Sequence, residues 1–192
     1  MRIKIFDNMA QCTDTEVQRM LPLVSAQRRE QALRYKHTFG RFCCLKSWLM
    51  LQELIGPFAD WQYNEHGKPF IEGGPFFSIS HCKTGIAVAV DDEPIGIDIE
   101  HIRTAEQGLI ERTMNAEERQ QIHSDRDFTR LWTQKEAVVK AQGTGIESFE
   151  QLQTILSESR DHEITRPQIS TFENENYIYS LAYYGELHCF SA

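Results

Sequence analysis

The chain has 192 residues, 41% hydrophobic and 25% charged, with a formal net charge of −8. That length suits one sizeable domain or two small ones packed together, and the composition is that of an ordinary soluble globular protein. The acidic excess argues against wholesale nucleic-acid binding, and no apolar run reaches the roughly 18 residues that a membrane span needs.

Met1 to Phe6 alternates like a strand and lacks the apolar core and cleavage site of a signal peptide, so a cytoplasmic location is expected. Cys12, Cys43, Cys44, Cys82 and Cys189 form no C-x-x-C pair and are read as reduced thiols. Thr13 to Leu21 and Ser25 to Tyr35 read as short helices, the second capped by Ser25. Phe39 to Ile55 is a longer amphipathic helix ended by Gly56-Pro57. From Ser25 to Trp48 six basic residues (Arg28, Arg29, Arg34, Lys36, Arg41, Lys46) face one acid, Glu30, which suits a compact polyanionic ligand as well as a solvated helix face.

Asn64-Glu65-His66-Gly67-Lys68-Pro69 is turn-rich and should hold Lys68 in a defined direction. Phe76 to His81 and Gly85 to Val90 read as a hairpin around Cys82-Lys83-Thr84. Pro94 to Glu100 follows as a strand that places Asp98 and Glu100 on one face and Ile97 and Ile99 on the other. Ala105 to Gln121 is helical and polar, with Asn115 and Glu118 spaced as the N-terminal cap of a new helix. Phe128 to Gln142 is the strongest helix pattern, stopped by Gly143 and Gly145. Leu152 to Leu156, Glu163 to Ile169 and Tyr177 to Tyr184 read as antiparallel strands. Helices and antiparallel strands without a βαβ rhythm give an α+β fold class.

Two like charges as close as Asp98 and Glu100 repel unless a cation lies between them. Glu136 and Lys140, one helical turn apart, can serve the same volume. Lys135 falls within the apolar stripe of its helix and must either reach out to water or meet a carboxylate or phosphate. Three acids with several bases suggest a hard divalent cation held through oxygen, and magnesium fits best. The seven histidines, His37, His66, His81, His101, His123, His162 and His188, lack zinc-site spacing.

Four blocks then carry a resemblance: Asn64…Gly67-Lys68-Pro69, Phe77-Ser78-Ile79-Ser80-His81, Ile95-Gly96-Ile97-Asp98-Ile99-Glu100 and Leu131-Trp132-Thr133-Gln134-Lys135-Glu136…Lys140. Together they resemble the 4′-phosphopantetheinyl transferases of the surfactin-synthetase-activating type. The resemblance implies transfer of the phosphopantetheine arm of coenzyme A to a serine of an apo acyl or peptidyl carrier protein, with release of 3′,5′-ADP. It implies that Asp98, Glu100 and Glu136 bind Mg2+, or alternatively Mn2+. Glu136, Lys140 and His81 would be catalytic, and Arg28, Arg41, Lys68, Ser80, His81 and Lys140 would hold coenzyme A. Gln31 and Cys43-Cys44 depart from the family pattern near Arg28. The implied fold is two similar α+β halves, 1–97 and 98–192, related by a pseudo-twofold axis with the ligand cleft between them. A monomer without nucleic-acid or membrane partners is expected. A metal-dependent nuclease and an inactive coenzyme A or carrier-binding module are the competing readings. The nuclease motif places its lysine two residues after the glutamate on a strand, unlike the helical interval from Glu136 to Lys140.

Overall fold

The computed structural model describes residues 1–146, 148–157 and 166–185. Strand β1 (Arg2–Phe6) leads into helix α1 (Asp14–Met20), whose N-terminus is capped by Thr13. Helix α2 (Ala26–Arg34) follows with Ser25 as its cap, and helix α3 (Thr38–Ile55) ends at Gly56, where a φ of 84° suits glycine. The short strands β2 (Gln62–Tyr63) and β3 (Pro69–Phe70) flank the 64–68 turn. Strands β4 (Phe76–Cys82) and β5 (Gly85–Asp91) form the expected hairpin, with Cys82 opposite Gly85. Strand β6 (Ile95–His101) opens the second half. It is followed by helices α4 (Gln107–Thr113), α5 (Ala116–Gln121), α6 (Asp125–Gln142) and α7 (Phe149–Thr154), and by strands β7 (Gln168–Glu173) and β8 (Tyr177–Tyr183).

Among the described residues the strands form two antiparallel three-stranded sheets, ordered β1-β5-β4 and β6-β8-β7, and a small β2-β3 pair. Alternation along β5 explains the layering. Ile86, Val88 and Val90 point to a core shared with Phe42, Leu45 and Trp48 of α3. Ala87 and Ala89 point the other way, to Ile95, Ile97, Ile99 and Leu181 of the second sheet. On that sheet's far face, Ala182 packs against Ala137, Val138 and Ala141 of α6. Each half therefore backs one three-stranded sheet with one long helix, and the apolar face of β6 packs as the sequence indicates.

Three readings of the sequence change. Residues 152–156 belong to α7 and the turn after it rather than to a strand, because Leu152, Ile155 and Leu156 recur at helical spacing and Ser148 caps the helix by accepting from the Gln151 amide. Helix α6 starts at Asp125, ahead of its apolar stripe, since Ser124 caps it and Asp125 and Asp127 favour its first turn. The polar 105–121 segment divides at Asn115 as the spacing indicates, with a complete capping box to Glu118 opening the second helix. Strand β7 lies later than the expected 163–169; residues 163–165 of that span, Cys189, His162 and His188 lie outside the described residues. The expected boundary between residues 97 and 98 falls inside β6, and the connection between the two sheets is 92–94.

Lys135 shows how the second half is tied together. Its ammonium is fully buried, 2.6 Å from Glu118 Oε1, and also donates to the Leu152 carbonyl. One buried lysine thus joins α6 to α5 and α7, and the carboxylate alternative is the one realised. Removing one partner of a buried pair strands the other charge, so Lys135→Met should cost about 3–5 kcal/mol by urea unfolding. Adding Glu118→Gln, which still accepts from the Asn115 amide, should recover part of that loss. A double variant no more stable than Lys135→Met alone would contradict the pair's role.

Candidate active site

The site begins at the meeting of β4 and β6. Ser78 and Ser80 share one face of β4; the Ile97 amide donates to Ser78 Oγ at 3.0 Å, and Ser80 Oγ donates to Asp98 Oδ1 at 2.7 Å. Asp98 is almost fully buried, with Lys140 Nζ also 2.7 Å from Oδ1. Its second oxygen, Oδ2, is buried without a hydrogen-bond partner. A buried carboxylate oxygen without a partner is an acceptor open to a cation or a proton.

Helix α6 brings the other groups, and Gly96 sets how near it comes. This glycine lies on the face of β6 shared with Asp98 and Glu100, and a Cβ there would fall on the Ala137 carbonyl oxygen and the Ala141 amide nitrogen of α6. Ala137 and Ala141 directly follow Glu136 and Lys140 in sequence. Close approach of the helix backbone is therefore what delivers these two side chains to Asp98.

The electrostatics follow from that crowding. Burial first, then repulsion from Asp98 and Glu100, opposed by Lys140, lifts the Glu136 carboxyl to about 7. Glu100 is also raised, by burial and then by Asp98, against the lowering influence of Arg103, Lys140 and a hydrogen bond from Trp132. The three acids are thus coupled by charge. Among the described residues, however, no group of three carboxylate, imidazole or thiolate side chains closes into a ready cation cage. Lys140 supplies the counter-charge at Asp98 in this arrangement.

A cleft of about 360 Å³ opens beside these groups, lined by Lys68, Phe77, Ser78, Glu136, Lys140 and Gly143 among others. Lys68 Nζ donates to the carbonyls of Ala141 at 3.1 Å and Ile95 at 3.4 Å, and burial brings it down to about 8. His81 lines a separate hollow with its ring edge-on to Phe39; desolvation of the ring, then the charge of Lys140, lowers its pKa and favours the neutral form.

Arg28 is placed differently from a free anion ligand. It is 1% exposed, lies 3.6 Å above the Trp61 ring and pairs with Asp60 at 2.5 Å, while Nη1 donates to Gln31 Oε1. Its charge is matched by Asp60, a partner that no local pattern singles out. A smaller hollow of about 130 Å³ beside it is lined by Gln31, Cys43, Cys44 and His81, which connects the departures from the family pattern to one place. Arg41 Nε donates to the Tyr35 carbonyl at 2.9 Å. The structure therefore gathers Lys68, Ser80, Asp98, Glu100, Glu136 and Lys140, while Arg28 and His81 line the neighbouring hollow. Gly96 and Asn64 were missed as contributors. The signal for Gly96 was a lone glycine within an otherwise apolar strand, a mark of close backbone approach.

Residues 94–189, half of the chain, match the model of the 4′-phosphopantetheinyl transferase superfamily. The chain belongs to that superfamily. The match contains Asp98, Glu100, Glu136 and Lys140. Similarity to individual family proteins extends further. The chain is 31% identical over 146 residues to the 4′-phosphopantetheinyl transferase ffp of Bacillus subtilis, covering 68% of this chain and 65% of that protein. It is 35% identical over 112 residues to AcpT of Salmonella typhimurium, covering 50% and 58% respectively. It is 32% identical over 128 residues to HetI of a Nostoc species, covering 59% and 54%. The chain spans less than two thirds of the length of each of these relatives. Among the described residues no helix is long and apolar enough to cross a membrane.

Proposed function

We propose that this chain transfers the 4′-phosphopantetheine group of coenzyme A to a serine hydroxyl of an apo acyl or peptidyl carrier protein. The observation that carries the reading is the convergence of Asp98, Glu136 and Lys140 beside the cleft, with one Asp98 oxygen buried and unpartnered. Family membership supplies the substrate class. The serine oxygen attacks the pyrophosphate phosphorus that bears the pantetheine arm, the bond to the bridging oxygen breaks, and 3′,5′-ADP leaves. Glu136, with a pKa near the working pH, is suited to take the serine proton. Lys140 neutralises charge on the pyrophosphate and on the departing nucleotide. Arg28, Arg41, Lys68, Ser80 and His81 would border the path of the nucleotide portion, with Arg28 steadied by Asp60.

The orphaned Asp98 oxygen and the carboxyls of Glu100 and Glu136, each raised by burial and by Asp98, fit a hard dication, so Asp98, Glu100 and Glu136 would hold Mg2+ or Mn2+. When bound, such an ion supplies charge neutralisation at the phosphate under attack. We further infer that the two halves are related by a pseudo-twofold axis, which is supported by their shared pattern of a first strand pairing with the last and a long helix backing each sheet. The protein is read as a cytoplasmic monomer.

Incubation with coenzyme A, magnesium and several apo carrier proteins should add one phosphopantetheine to a carrier, read by intact mass, and a chelator should stop it. No adduct on any carrier would overturn the proposal. Cleavage of nucleic acid in a parallel arm would replace it with the nuclease reading.

A further inference from the structure

The last turn of a helix leaves its carbonyls without intrahelical partners. At the end of α6 two of them are met from the other half of the chain. Asn64 Nδ2 donates to the Gly143 carbonyl at 3.0 Å, and Lys68 Nζ donates to the Ala141 carbonyl at 3.1 Å. The same Asn64 builds the turn that presents Lys68. Its Oδ1 accepts from the His66 amide at 3.0 Å and the Lys68 amide at 2.7 Å, while the Asn64 amide donates to the Lys68 carbonyl at 2.9 Å. The fit is close, since a Cβ on Gly143 would lie 3.0 Å from Lys68 Cδ. Gly143 itself holds a left-handed φ of 74°, which ends the helix at this point.

We propose that Asn64 is a positioning residue for the transfer reaction: it latches the C-terminal end of α6 to the 64–68 turn and so fixes where Glu136 and Lys140 stand relative to Asp98. The proposal rests on the transferase reading for its kinetic arm. Glu136 and Lys140 occupy the last two turns of α6, next to the latched carbonyls, so a shift of the helix end displaces both at once. Asn64 does not touch the reacting atoms in this scheme; its amide holds the helix and its carbonyl holds the turn. Lys68 ties the same helix end from within the cleft, which makes the turn a single unit spanning both halves.

The decisive variant is Asn64→Ser. Its hydroxyl oxygen still accepts from the turn amides but is too short to reach Gly143. The expected result is a fall in kcat of about tenfold to a hundredfold with KM for coenzyme A and carrier within twofold, since misplacement of about an ångström costs on that order. Amide exchange in the metal-free protein, which needs no transfer, should accelerate at residues 141–146 while residues 62–70 stay protected. Wild-type exchange at 141–146 would overturn the proposal whatever the activity, and so would an unchanged kcat with a raised KM. Absence of transfer by the wild-type protein would instead remove the transferase reading, and the exchange arm would still decide the latch.

Discussion

Replacing Glu136 by Gln should abolish carrier modification, by about 100- to 10,000-fold, while making the metal-free protein more stable at pH 8. The two effects have one origin. The carboxyl is lifted from the ordinary 4.5 to about 7 by burial and by its acidic neighbours, so the folded state favours its protonated form. Stability is therefore highest below the unfolded-state value and falls as pH rises from about 4.5 to about 7, with the full penalty present above that window. A glutamine carries no such charge, and the variant should gain on the order of 2 kcal/mol at pH 8 and nothing at pH 4 in urea unfolding. Magnesium should raise the Tm of the wild-type protein more at pH 8 than at pH 5, because protons compete with the cation for the same oxygens. Near-normal turnover in Glu136→Gln would remove this residue from the mechanism. Loss of stability at pH 8 would contradict the crowding of the three acids.

The second large effect is expected at Gly96. An alanine there would drive its Cβ into the backbone of α6 at Ala137 and Ala141, which are not flexible side-chain ends that swing aside. Either α6 lifts from β6 or the strand bends, and Gly96→Ala should cost about 3 kcal/mol or more in unfolding free energy. The folded fraction should also be poorly active, because lifting α6 carries Glu136 and Lys140 away from Asp98. Urea unfolding and single-turnover transfer on the folded protein separate the two losses. A variant with wild-type unfolding midpoint and wild-type turnover would show that the helix does not need this approach.

Much of this was readable in the chain, for reasons that differ by residue. The 3.6-residue stripe of α6 and the capping spacing of Asn115 and Glu118 are local signals, and local physics decides them. The buried Lys135 announced that it needed a partner, but which carboxylate would answer depended on how α5 folds back, a non-local outcome. Residues 152–156 were misread because a short apolar run has no strong period and the serine cap at 148 outweighs it. Arg28 was read as an anion ligand from its position in the pattern. Its commitment to Asp60 and Trp61 arises from a contact across 32 positions of sequence that no local pattern encodes. The charge coupling of Asp98, Glu100 and Glu136 was expected from their types, and its extent followed from burial.

The order of strands in the second sheet bears on when the protein becomes competent during its synthesis. Strand β6, which carries Asp98 and Glu100, has its ladder partner not in β7 but in β8, at residues 177–183. Until that last described strand has left the ribosome, β6 lacks its backbone partner, and the surface on which α6 must settle is unfinished. The acids are made before the platform that aims them. A chain ending before β8 would thus contain every proposed catalytic side chain without the strand that completes their platform, and it is expected to leave a carrier unmodified.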